Sequence, residues 1–153
     1  MPTPNQWLTA LGTQLDRRYW DLKKYDDYYR GDHKLQFAST KFREAFGTLF
    51  SEFADNFCEL VVDAVEERLN VEGFRLGGAG NEADKDAWAM WQRNDLDAAS
   101  QIAHTEALVK RESSVIVWMG DDGQPEITVE DPMEVVVAHD AARRRKRTAA
   151  LKQ

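Results

Sequence analysis

Three histidines, His33, His104 and His139, are the side chains to test first, because imidazole is a common metal ligand and titrates near neutrality. They stand far apart in the chain, and none has a second ligand at the spacing a zinc site uses. No metal site is expected. The one cysteine, Cys58, lies among apolar residues, so an intramolecular disulfide is impossible, and a buried, inert thiol in a reducing compartment is expected. Acidic pairs at Asp26-Asp27, Glu66-Glu67 and Asp121-Asp122 offer carboxylates for acid and base work. Adjacent helical residues do not face one another, however, and Asp121-Asp122 sits in a turn sequence, so all three read as solvated faces. Gly77-Gly78-Ala79-Gly80 has the glycines of a phosphate cradle but the wrong spacing and no lysine after it; it reads as a flexible surface loop. There is no nucleophile elbow. The chain therefore reads as a protein without catalytic residues, metal or cofactor, and not as an enzyme.

The remaining chemistry is charge and aromatic surface. Arg143, Arg144, Arg145, Lys146 and Arg147 form a basic run in a chain whose 20 Lys and Arg face 27 Asp and Glu, a net charge of −7. Removing those five cations leaves 15 against 27, a balance of −12, so charge is sharply segregated. The run could neutralise phosphates in a salt-dependent way, which is the basis of an alternative reading as a small nucleic-acid-binding regulator. No aromatic residue is interleaved with it, so base stacking has no support, and a solvated face that meets an acidic neighbouring subunit is the favoured reading. Five tryptophans, four tyrosines and seven phenylalanines are many for 153 residues. Tyr25, Tyr28, Tyr29, Trp88 and Trp91 are the candidates for a subunit interface.

Helices must carry most of these groups. Leu8, Leu11, Leu15, Tyr19, Leu22, Tyr25 and Tyr29 recur at three- and four-residue steps, predicting a helix over residues 7–29 that Gly31 and Asp32 end. Phe42, Phe46, Phe50, Phe53, Phe57, Val61 and Val65 extend the same periodicity as a long Phe-rich helix, expected to be core, with a kink or a break into two helices near Gly47 and Ser51. On that reading, Phe53→Ala or Phe57→Ala should cost about 3 to 5 kcal/mol. Residues 71–76 alternate like a short strand. Asp84 is a helix start, Asn94 ends that segment, and a second helix over residues 95–110 buries Leu96, Ala99, Ile102, Ala103, Ala107 and Leu108. Residues 114–119 and 126–130 flank a dense turn signal and read as a hairpin, and residues 133–138 as a third strand. Helices first and strands last predict an α+β fold, in which amino-terminal helices pack with a small antiparallel sheet at the carboxy-terminal end. It reads as one domain or fragment, with a helical part at 1–70, a strand, Gly loop and Trp-bearing helices at 71–112, antiparallel strands at 113–142 and a basic tail at 143–153. No stretch is apolar enough to span a membrane, and the start lacks the features of a secretion signal.

One succession of residues is more specific than any of these. Tyr28-Tyr29-Arg30-Gly31-Asp32-His33, Val61-Val62-Asp63-Ala64, Arg68-Leu69-Asn70-Val71-Glu72-Gly73-Phe74, Trp91-Gln92-Arg93-Asn94-Asp95-Leu96-Asp97, Glu130-Asp131-Pro132 and His139-Asp140 occur in this order. The series resembles the opening of portal proteins from long-tailed double-stranded DNA phages, in the early part of their peripheral wing region. The resemblance implies a structural virion protein at the capsid portal vertex, assembled in the bacterial cytoplasm into a ring, usually of twelve copies. Such a ring nucleates head assembly, docks the terminase large subunit, passes double-stranded DNA and receives connector and tail proteins. It implies no membrane partner. Members are several times longer, so the resemblance also implies that this chain is a fragment or a truncated product.

Overall fold

A capping box opens the first helix. Gln6 N–H donates to Thr3 Oγ1 at 3.4 Å and Thr3 N–H to Gln6 Oε1 at 2.8 Å, with Pro4 in the first turn, where its missing donor costs nothing. In the computed structural model, which describes residues 2–32, 39–51, 56–75, 84–143 and 145–153, this helix α1 runs Pro4–Arg30. Gly31 ends it at φ 76°, a left-handed conformation that glycine adopts without a Cβ clash. Helix α2 spans Thr40–Ser51 and α3 Phe57–Glu66, so the Phe-rich periodicity is divided between two helices. Asn56 caps α3 by accepting from Glu59 N–H, while its amide donates to Tyr29 O and so ties the start of α3 to the end of α1. Asp84 caps α4 (Lys85–Arg93), accepting from Asp86 and Ala87 N–H, and Asn94 closes it before α5 (Leu96–Lys110).

The carboxy-terminal third holds two separate two-stranded antiparallel sheets. Strands β1 (Ser114–Met119) and β2 (Pro125–Glu130) form the predicted hairpin, with Val117 opposite Ile127. Strand β3 (Val135–His139) pairs with β4 (Arg147–Lys152), Val136 lying opposite Leu151. The stretch expected to be a basic tail is thus a strand in part. Its Ala149, Ala150 and Lys152 are weak strand formers, and the pairing comes from Leu151 and Ala149 joining Val136 over α1. The short strand expected at residues 71–76 is absent over the described residues 71–75. Phe74 O accepts from Asp84 N–H at 2.9 Å, and the Phe74 ring packs against both Trp88 and Trp91, at 6.2 and 5.4 Å.

The core sits under α1. Leu11 and Leu15 meet Val136, with Trp7, Ala138, Ala149 and Leu151 packed around them, and Leu22, Leu96 and Val135 are also buried. This departs from the expected Phe-rich core: Phe42, Phe46, Phe57, Val61 and Val65 are 41, 48, 67, 66 and 45% exposed. Phe50 lies in α2 with its side chain outside the described set, and Phe53 falls outside the described residues. The physical reason is visible in α3, whose half-buried side carries Val62, Asp63 and Glu66, because Asp63 accepts a hydrogen bond from Tyr29 OH at 3.0 Å. The apolar stripe of α3 is consequently turned outward. Ile102 and Leu108 of α5 are likewise exposed rather than buried, at 57 and 39%, as is Ala107, and α5 packs on α1, α3, α4 and β2 with Leu96 and Lys110 inward. Cys58 shares the outward side of α3 and is exposed, not buried.

Candidate functional site

A buried charge network joins the helices to the sheets. Lys110, 2% exposed, points its Nζ at Glu106 Oε2 at 2.6 Å, Asp131 Oδ1 at 3.1 Å and Asp26 Oδ1 at 3.6 Å. Burial pulls this ammonium toward neutrality, but the hydrogen bonds to Glu106 and Asp131 outweigh that pull and hold its pKa above the ordinary lysine value. Asp26 is shared with Arg30 at 2.9 Å. Arg18, on the same helix, pairs with Glu112 and donates to Pro132 O at 3.2 Å, and burial lowers its pKa. Glu130, buried at the end of β2, pairs with Lys152 and accepts from Thr128 Oγ1 at 2.6 Å, contacts that keep its carboxyl below the usual range. These groups fasten α1, α5, β2 and β4 together. None forms a nucleophile and base pair.

The aromatic residues proposed for an interface are all half-buried and already used inside the chain. Arg111 lies 5.3 Å over the Tyr25 ring, and Trp88 stacks on Trp91 at 6.4 Å and 9°. Trp91 Nε1 donates to Asp97 Oδ1 at 2.7 Å. Tyr28 and Tyr29 lie in the last turns of α1, and the Tyr29 phenol is pushed up to about 12 by burial and by its bond to Asp63. Tyr29 and Asp63 line a shallow acidic hollow of about 380 Å³ with Glu66, Glu67 and Glu106. Among the described residues no group of three His, Cys, Asp or Glu side chains is placed to hold a metal ion. His33 falls outside the described residues, His104 is half-buried on α5, and His139 is exposed on β3 opposite Arg147.

The basic run forms the tip between β3 and β4. Arg143, Arg145, Lys146 and Arg147 are exposed there, Arg144 lies outside the described residues, and Asp140 shapes the turn by accepting from Ala142 and Arg143 N–H. Exposed apolar side chains gather elsewhere, on α2, α3 and β1, where Val115, Val117 and Met119 are 51, 62 and 70% exposed. Sequence reasoning placed those strand and helix residues correctly in their elements and missed their outward direction. A signal was present in α3, where Asp63 and Glu66 recur at helical spacing and define a polar stripe able to face Tyr29.

Among the described residues the arrangement offers exposed apolar and basic surface around buried structural charge pairs. A portal protein of Mycobacterium phage L5 is 32% identical over 122 residues, covering 73% of this chain and 24% of that protein. A portal protein of Mycobacterium phage D29 is 31% identical over 101 residues, covering 66% of this chain and 20% of that protein. The chain thus spans about a quarter or less of the curated relatives it matches. Among the described residues no helix is long and apolar enough to cross a membrane. The family described as phage portal protein, SPP1 Gp6-like, matches residues 10–152, nearly the whole chain, and the chain belongs to that family.

Proposed function

We propose that this chain is part of a portal subunit whose ring occupies one vertex of a phage capsid, passes double-stranded DNA, and docks the packaging motor and the tail connector. Phage portal proteins are structural virion components, and the family match supports placing the chain among them. The observation in the fold that carries the reading is the reversed α3, with its polar stripe inward and Phe57, Leu60, Val61 and Val65 outward at 67, 62, 66 and 45% exposure. A stripe of this size calls for a protein cover, and in a portal subunit either the rest of the subunit or a neighbouring copy supplies it. In this reading the end of α1, through Tyr29 on Asp63, supports that surface from behind, and the ring copy number, usually twelve in such proteins, applies to the full subunit.

Immunogold labelling with antibodies raised against the chain tests the proposal on purified particles of the encoding phage. Label confined to a single vertex is the expected result. Label spread over the shell, or absent from particles while present in the lysate, would overturn it.

A further inference from the structure

Two surfaces of opposite charge lie far apart on the molecule. Arg143, Arg145, Lys146 and Arg147 are exposed at the tip between β3 and β4, and among the described residues none of them pairs with a carboxylate. Asp140, beside them in sequence, is occupied by the turn itself through Ala142 and Arg143 N–H. The hollow lined by Tyr29, Asp63, Glu66, Glu67 and Glu106 has the reverse composition. Asp63 is engaged there by Tyr29 OH, and Glu106 by Lys110. Glu66 is different: its Oε1 is shielded from water and has no hydrogen-bond partner among the described residues, a cost that a cationic donor entering the hollow would remove. Glu67 next to it is exposed.

The course of β3 keeps the two surfaces separate. Pro132 O accepts from Arg18, and Val136 clusters with Leu15 and Leu11, so the strand runs back along α1 toward its amino-terminal end and carries the tip there. Tyr29 is in the last turn of α1, about five turns or roughly 27 Å from Leu11. An arginine side chain does not span that distance, so the tip cannot neutralise the hollow of its own chain.

We propose that the basic tip of one copy docks in the acidic hollow of the next copy, with the cations of residues 143–147 meeting Glu66 and Glu67. Guanidinium groups suit such a contact, because their fork binds a carboxylate through two parallel N–H donors. Two different surfaces at separate places on one chain make a head-to-tail contact, the kind that repeats around a closed ring. The orphaned Glu66 oxygen favours a second copy over duplex DNA as the partner of the tip, since DNA would neutralise the tip and leave that acceptor as it is. The inference rests on the portal reading, in which a ring gives the contact its use. The two are separable: copies labelled at a single vertex but joined through other surfaces would keep that reading and end this one.

Analytical ultracentrifugation of the chain at two salt concentrations provides the test. Its average mass should rise with concentration at about 0.05 M salt and return to that of one copy at about 0.5 M, where ions screen exposed charges. Reversing the tip with Arg143→Glu, Arg145→Glu and Lys146→Glu should weaken association by about tenfold or more, and so should reversing the hollow with Glu66→Lys and Glu67→Lys. Mixed in equal amounts, the two variants should associate again, because a reversed tip fits a reversed hollow; a variant that had merely misfolded would not be rescued in this way. A chain that stays single at every concentration, association that neither reversal weakens, or no recovery on mixing would overturn the proposal. So would a tip that retards duplex DNA in a gel while the copies stay apart.

Discussion

Replacing Lys110 with methionine keeps most of the side-chain volume and deletes the charge on which Glu106, Asp131 and Asp26 converge. Removing one partner of a buried ion pair costs roughly 3 to 5 kcal/mol, because the carboxylates left behind stay desolvated without compensation. Two features set this site at the lower end. Asp26 keeps Arg30 at 2.9 Å, and the Asp131 side chain is 34% exposed, so water partly compensates it. The expected loss is therefore about 3 kcal/mol, which for a slope of about 2 kcal/mol/M lowers the urea midpoint by about 1.5 M. Equilibrium urea denaturation followed by tryptophan fluorescence measures it directly. Arg93→Met, which breaks the exposed pair with Asp122, is the control and should shift stability by no more than about 1 kcal/mol. Adding Glu106→Gln to Lys110→Met should recover about 1 kcal/mol or more, since the neutral amide no longer repels the remaining carboxylates. A midpoint for Lys110→Met equal to that of the control would refute the reasoning, as would the absence of any recovery in the double variant.

Leu15→Ala, in the core under α1 at 3% exposure, should cost about 2 to 5 kcal/mol, whereas Phe57→Ala, at 67% exposure, should leave the melting temperature of the isolated chain nearly unchanged. Asn94→Ala should cost about 1 to 3 kcal/mol by stranding Ile127 N–H and Pro125 O, read as a lower thermal midpoint. Tyr29 and Lys110 both have folded pKa values above their ordinary ones of 10.0 and 10.5, so each stabilises fully below pH 10; Tyr29, pushed up to about 12, loses its contribution as pH rises toward that value, and Lys110 loses its own as pH rises above 10.5. Thermal melts across that range should fall, less steeply in Tyr29→Phe. Glu130 has the opposite sign: its depressed pKa contributes above 4.5 and is lost as pH falls below it. Cys58 is exposed, and a thiol reagent should label the native chain at one site without prior unfolding.

The sequence by itself determined most of the elements and their order, with β4 missed and a strand expected at residues 71–76 that the described residues 71–75 do not form. Gly31 closed α1, Asp84 and Asn94 bound α4, and the turn between Gly120 and Pro125 made the first hairpin legible, because caps and turns are local chemistry that neighbours in sequence settle. The ordered series from Tyr28 to Asp140 pointed to the family for a related reason: it is a string of local packing signatures.

Only the tertiary structure decided which faces are covered. Periodicity shows that α3 is two-sided, but not which side turns inward, and the Tyr29 to Asp63 bond together with Asn56 on Tyr29 O turned the polar side in. Strand β4 was hidden for a similar reason, since Ala149 and Leu151 gain their strand role from Val136 and α1, partners far away in sequence. The cluster around Lys110 gathers residues from α1, α5 and the turn after β2, and the acidic hollow exists only once α1, α3 and α5 are set side by side. Non-local contacts carry no local signature, so these features, and with them the surfaces available for assembly, belong to the fold.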